Sequence, residues 1–414
     1  MKEQKEQEFI KPGYKVSNDT VIYTVLSRGN SSTLYFGGQT IKPGNLEDLY
    51  HGLLVREYEP LHRYLILTEE LEIARRNFTA QMFRISRLEE DIKNLKNEIS
   101  GKDFSFSNEK FEVIKQDYNS SLENESDFIG ASIRPVAIKF FYDYAGRPNY
   151  ELNKISFEKE MEILPLLSGH SNIVNVYFTT KDRYGYFMVE EFVEGRNLEG
   201  LIKDQKRLED ERFFPFEVVL AVGIGIAKAL EYCHSKDIVH RDICPNNILL
   251  SHEPKLIDFG VATRCKDRYK TNEIVGTPEY MSRSQIEGYV SKANDLYMLA
   301  ATLYHLATGE KPFLFTGDLE ELAKIKQRYN PANRMRKYNP NIPREFEDIL
   351  AEYFTEEQEE SALAFYEKLQ DLFYKLYKNL TPSEVLKNYL NKLKMPLESV
   401  NKEFGKTIIK NINS

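Results

Sequence analysis

The stretch His240-Arg241-Asp242-Ile243-Cys244-Pro245-Asn246-Asn247 sets a carboxylate and an amide five residues apart, and a second carboxylate, in Asp258-Phe259-Gly260, follows eleven residues past the amide. One group able to take a proton, followed by two oxygen donors able to ligate a hard cation, is the set that phosphoryl transfer requires, since that chemistry rests on positioning and charge stabilisation. Singly, an aspartate or asparagine in a loop is most often a turn former. Their order and spacing carry the weight here. Upstream, Val136-Ala137-Ile138-Lys139 puts a lysine inside an apolar run, where an ammonium is costly unless it meets an anion. Glu158, Glu160 and Glu162 follow on a helix-like stretch and offer carboxylates for an ion pair, though most such glutamates are plain surface charge.

The elements that must position these groups come from a chain of 414 residues, long enough for a large two-lobed unit and a smaller domain. Its formal charge of -8, from 56 basic and 64 acidic side chains, is spread widely and gives no nucleic-acid-binding character. Cys233, Cys244 and Cys265 have neither metal-ligand spacing nor the makings of a disulfide scaffold, which points to a reducing compartment. No apolar run reaches membrane-spanning length and the N-terminus lacks a secretory signal, so a cytoplasmic protein without a membrane partner is expected. Export by a route that leaves no cleavable signal stays open.

Residues 1–60 read as a small strand-rich region, with Val21 to Leu26 and Thr33 to Phe36 as β-prone runs, either a regulatory module or a packing element. Residues 61–100 carry a heptad seam: Leu71, Phe78, Ile85, Ile92 and Ile99 at a, and Leu67, Ala74, Gln81, Leu88 and Leu95 at d. The expectation is a coiled-coil homodimer through 67–99; the alternative is a long helix packed on its own domain. After Gly101 and a polar connection, strands are expected at Phe111–Ile114, Phe128–Ile133 and Val136–Phe141, then a helix over 155–167. Beyond 195 the chain reads as helical, with Val218 to His234 the clearest apolar-faced stretch and long helices over 344–394.

From about residue 111 onward the chain resembles the eukaryotic-type (Hanks-type) protein kinase family, through landmarks in the right order over roughly two thirds of the sequence. The resemblance implies an α+β, bilobal fold, with a β-rich N-lobe at 110–194, a helical C-lobe at 195–385 and a C-terminal helical extension at 386–414, preceded by the strand-rich region and the long helix. It implies a serine/threonine kinase using ATP and Mg2+ on a protein substrate, autophosphorylation included. Lys139 would meet the nucleotide phosphates and pair with Glu160, which family spacing selects over its neighbours. Phe187 to Gly195 resembles the strand and hinge beside adenine, with backbone groups of Glu191 and Val193 on the base. Asp242 would orient the acceptor hydroxyl and take its proton, while Asn247 and Asp258 would hold Mg2+. Arg241 implies control by a phosphorylated activation segment, with Thr271 the best-placed phosphosite. Thr277, in Gly276-Thr277-Pro278-Glu279-Tyr280, would bond to the catalytic aspartate, and Asp295 would brace the catalytic loop.

Four departures from the family pattern stand out. No glycine-rich phosphate loop precedes Lys139, and aligning Phe128-Ile129-Gly130-Ala131 with the strand after that loop puts Ser121, Glu123 and Ser126 at its glycine positions. The run from Ser27 to Tyr35 has a similar look but lies more than 100 residues from Lys139 with the heptad helix between, so it reads as coincidence. Cys244 replaces a phosphate-neutralising lysine, as a small filler rather than a redox switch, with Lys266 or Lys270 as substitute cations. Ser282-Arg283-Ser284 replaces an Ala-Pro-Glu anchor, and Glu190 sits at the gate behind the nucleotide. The competing reading is a pseudokinase scaffold that uses the fold and the coil for binding.

Overall fold

The structure is a computed structural model that describes residue 10 and residues 13–17, 20–28, 32–42, 89–95, 132–143, 149–205, 213–355 and 361–393. The chain divides into two units. The first draws on the chain up to Lys154 and on Val176–Glu194; the second comprises Ile155–Asn175 and Gly195–Lys394.

The first unit is built on a six-stranded antiparallel sheet in the order β1-β2-β3-β4-β6-β5. Its strands are β1 (Lys15–Ser17), β2 (Thr20–Arg28), β3 (Thr33–Lys42), β4 (Ser132–Tyr142), β5 (Val176–Lys181) and β6 (Gly185–Glu191). The alternation of β4 explains its place: Val136, Ile138, Phe140 and Tyr142 face one core with Ile22, Tyr35, Phe187 and Val189. Ile10 joins the same core, its backbone N–H donating to the Tyr35 hydroxyl at 2.8 Å.

Two expectations change here. The strands of residues 1–60 do not stand apart from the N-lobe, because β3 pairs with β4 along its length, from Thr33 opposite Phe140 to Lys42 opposite Ser132. The other edge of β4 is filled by β6, with Val136 opposite Glu191 and Tyr142 opposite Gly185. The strands expected at 111–114 and 128–131 lie outside the described residues. The second change concerns the heptad seam. Of its positions only those within the helical stretch 89–95 are described, and Ile92 and Leu95 are buried in the sheet's own core at 8% and 4% exposure. Ile92 and Leu95 pack within the chain, and the other seam positions lie outside the described residues.

The second unit is mainly helical, as the apolar periodicity beyond 195 predicts. It holds most of α1 (Tyr150–Ile163), then α2 (Leu198–Gln205), α3 (Phe216–Ser235), α4 (Arg283–Ile286), α5 (Lys292–Thr308), α6 (Leu319–Arg328), α7 (Met335–Tyr338), α8 (Arg344–Tyr353), α9 (Ala362–Leu376) and α10 (Pro382–Lys392). Helix α3 is buried over most of its length and packs against α5, α9 and α10. A capping box formed by Thr381 and Glu384 starts α10. Residues 394–414, most of the expected C-terminal extension, lie outside the described residues. Among the described residues no helix is long and apolar enough to cross a membrane.

Candidate active site

In the second unit the short strands β7 (Ile238–Val239) and β8 (Ile248–Leu250) bracket the loop that carries Asp242. A buried carboxylate from α5 pins this loop: Asp295 accepts from the backbone N–H of His240 at 2.9 Å and of Arg241 at 2.8 Å, and lies 2.9 Å from His234 Nε2. Burial is the largest influence on the Asp295 carboxyl and opposes its charge, but the His234 hydrogen bond, nearby histidine charge and the His240 amide together hold it below the ordinary range. So fixed, the loop accepts a left-handed backbone at Arg241, with φ 69°. The His240 ring accepts from Asp242 N–H through Nδ1 at 3.2 Å and reaches the Ile257 carbonyl through Nε2 at 3.1 Å, a pairing that assigns the tautomer.

Asp242 meets three donors. Thr277 N–H and Oγ1 reach its Oδ1 at 2.8 and 2.7 Å, and Asn247 Nδ2 reaches its Oδ2 at 2.8 Å. The same Asn247 nitrogen donates to the Asp242 carbonyl at 2.9 Å, so both amide hydrogens are used and Oδ1 is the atom left to accept or ligate. Ile257 N–H donates to the Asn247 carbonyl at 3.0 Å and brings Asp258 beside it, exposed and in the left-handed region at φ 62°. Helix α1 holds the next two residues. Phe259 N–H donates to Glu160 Oε1 at 3.3 Å, and Ser156 Oγ donates to the Gly260 carbonyl at 2.7 Å. A Cβ on residue 260 would lie 2.6 Å from Ser156 Oγ and would displace that hydroxyl from its bond to the Gly260 carbonyl.

In the first unit, Lys139 sits mid-strand in β4 with Leu34 of β3 and Met188 of β6 opposite it. Glu191 ends β6 and Val193 follows, both half-buried, as is Glu190. The hairpin of β2 and β3 is what sequence reasoning missed. Its connection, 29–31, lies outside the described residues, but Arg28 and Thr33 at its ends are register partners, and Thr33 is two strands from Phe187. The signal was there in Ser27-Arg28-Gly29-Asn30-Ser31 between two β-prone runs. The long segment before β4 concealed it.

A model of the protein kinase domain matches residues 131–374, more than half of the chain. This chain belongs to the protein kinase family. Its strand-rich and helical units are the N-lobe and C-lobe of that fold. A probable serine/threonine-protein kinase of Clostridium perfringens is 36% identical over 223 residues, covering 52% of this chain and 31% of that protein. The serine/threonine-protein kinase PrkC of Bacillus subtilis is 32% identical over 223 residues, covering 52% and 33%. The probable kinase PknB of Lactococcus lactis is 28% identical over 254 residues, covering 58% and 38%. The chain thus spans about a third of the length of these curated relatives. The family match begins at residue 131, so β1–β3 enter the kinase N-lobe through the sheet rather than through that match.

The kinase C-lobe also accounts for two of the departures. Cys244 is 2% exposed, with Thr277 Oγ1 3.6 Å from its sulfur, and burial, aided by the Asp242 charge, pushes its thiol up to about 12. It fills space and brings no charge. Lys266 and Lys270 are exposed, and Lys270 lies over the Tyr289 ring at 5.0 Å. The segment after Thr277 is held without an Ala-Pro-Glu ion pair. Ser282, Ser284 and Ser291 place their hydroxyls 3.2, 2.9 and 3.0 Å from Asn294 Oδ1, whose Nδ2 donates to the Tyr289 carbonyl at 2.7 Å. Gln285 Nε2 donates to the Arg241 and Val275 carbonyls at 2.7 and 2.8 Å, tying the segment to the Asp242 loop. Arg241 itself is occupied by Glu273, whose backbone N–H donates to Thr271 Oγ1 at 3.1 Å.

Proposed function

We propose that this chain is an ATP- and Mg2+-dependent protein serine/threonine kinase. The observation that carries the reading is the state of Asp242. An ionised carboxylate has about four acceptor sites. Three donors, from Thr277 and Asn247, take up sites on both of its oxygens and fix its plane. The remaining site is free to orient an acceptor hydroxyl and receive its proton as the phosphoryl group leaves ATP.

The donor set fits a magnesium ion. Asp258 and the Asn247 Oδ1 are hard oxygen donors, and among the described residues no group of three or more His, Cys, Asp or Glu forms a closed metal cage. Two protein ligands with the rest from phosphates and water suit an ion that keeps much of its hydration. Asn247 and Asp258 would hold it, and when bound Mg2+ would supply positive charge that offsets the charge of the phosphates. Lys139 would meet the phosphates, held by Glu160, and the backbone at Glu191 and Val193 would pair with adenine. We assign the β2–β3 hairpin, paired along β4, to the nucleotide-binding sheet of the N-lobe. The kinase domain accordingly begins with β1, and 43–131 is an insertion between β3 and β4.

Transfer of labelled γ-phosphate to the protein itself or to a generic basic acceptor tests this. Wild type should transfer label, and D242A should lose ~10²–10⁴-fold in turnover, the range general-base removal commonly costs. Equal signals from the two would defeat the reading. Stabilisation by Mg2+ and ATP with no turnover in wild type would instead assign the fold to binding.

A further inference from the structure

Arg241 stands next to Asp242, and its kind of position implies a phosphate from the activation segment. In this chain that place is held by a carboxylate. The Arg241 side chain is 4% exposed, and its Nη1 reaches Glu273 Oε2 at 3.2 Å while Nη2 donates to the Glu273 carbonyl at 2.8 Å. Nη1 also lies 3.3 Å from the Val261 carbonyl, just past the Asp258-Phe259-Gly260 turn. From the other side Lys159 Nζ meets Glu273 Oε1 and Oε2 at 3.3 and 3.5 Å. Lys159 is the neighbour of Glu160 on α1, so one carboxylate joins the residue beside the catalytic aspartate to the residue beside the lysine's expected partner. Burial is the largest single influence on the Glu273 carboxyl and opposes its charge, but Arg241 and Lys159 together hold it below its ordinary range.

We propose that Glu273 is the anion that orders the activation segment, so that this chain reaches its working conformation without phosphorylation of Thr271. Glu273 is a positioning residue: it touches no reacting atom and acts through Arg241 and Lys159. One donor of the arginine, Nε, is buried and unpartnered, and it is the donor that a larger, bidentate anion would take up. A phosphate on Thr271 is therefore the rival occupant, and the experiment separates the two sources. The inference rests on the proposed phosphotransfer activity.

The protein is treated with phosphatase until its intact mass shows no phosphate, then assayed beside T271A, E273A, E273Q and E273D. Dephosphorylated wild type and T271A should stay within about twofold of the untreated enzyme, as expected if no phosphate is needed. E273Q should lose about tenfold or more in kcat with little change in KM for ATP, and E273D should recover part of it. Added sulfate should rescue E273A more than chloride does at equal ionic strength, which a purely structural role would not produce. Trypsin cleavage after Lys266, Arg268 and Lys270 should quicken in E273Q, a readout that needs no turnover. An inactive wild type whose segment still loosens in E273Q would fail the kinase reading while keeping the strap. Full activity of E273Q with unchanged cleavage, or inactivation of wild type by phosphatase together with inactive T271A, would overturn the proposal and give Arg241 to a phosphate.

Discussion

Asp242, the group we propose to receive the proton, has to be held in place without being used up, and its surroundings meet both needs. Its neighbour Cys244 shows the same economy from the opposite side. A lysine there would add charge beside Asp242; the thiol adds volume only, because burial and the adjacent carboxylate both disfavour a thiolate. With its ionisation pushed up to about 12, roughly one molecule in 10⁴ carries a Cys244 thiolate at pH 8. Iodoacetamide at pH 8 should therefore leave Cys244 unmodified in the native protein over hours and label it within minutes in denaturant, as read by peptide mass spectrometry. Rapid native labelling would mean a thiolate beside the phosphates and would revive a redox role for this cysteine. The loss of cationic help is then borne by whatever else meets the phosphates, since nothing at 244 replaces it.

At the scale of elements, α5 does for the catalytic loop what a ligand does for a metal: one carboxylate, Asp295, gathers two backbone amides and a histidine ring. Its folded pKa is depressed from the ordinary 3.8, so its contribution is fully present above about that value and is lost as pH falls through the lower folded value. D295N should cost about 3–5 kcal/mol in urea unfolding at pH 7, because it strips the charge from a fully buried network. The gap between D295N and wild type should hold steady from pH 7 towards 4 and close only below that. A gap that closes between pH 7 and 5 would assign the stabilisation to another group. The loop that carries Asp242 and the turn at Asp258 were legible because they are set by spacings of a few residues. The contacts of Thr277 and Asp295 with that loop, 35 and 54 residues away, were expected only through the family resemblance. The partners of Arg241 were not, since an acidic residue two places past Thr271 looks like any other exposed glutamate until the fold sets it against a buried guanidinium. Nor was the pairing of β3 with β4, because residues 43–131 separate the two strands in sequence. The Ser282-Arg283-Ser284 anomaly was visible, but its remedy in Asn294 needed the packed structure.

At the scale of the whole chain, the segment between β3 and β4 raises the question of what its apolar stripe covers. A heptad seam alone cannot answer, because a and d residues satisfy a second helix or a sheet equally well. Ile92 and Leu95 answer for their own turn: they complete the core formed by Ile22, Tyr35, Ile138 and Phe187, on the face of β4 opposite Lys139. Removing Leu95 should therefore leave a cavity in the N-lobe rather than dissolve a dimer. L95A should cost about 2–5 kcal/mol, the usual range for a buried leucine cut to alanine. Because the contact lies within one chain, that loss should be the same at protein concentrations tenfold apart, and the mass by light scattering should not change. A dimer seam behaves otherwise: its stability rises with concentration by mass action, and L95A would halve the mass while leaving the monomer's urea midpoint in place. The same substitution should weaken ATP affinity together with stability, since β4 carries a core face and Lys139 on opposite sides of one strand, and loosening the first tilts the second.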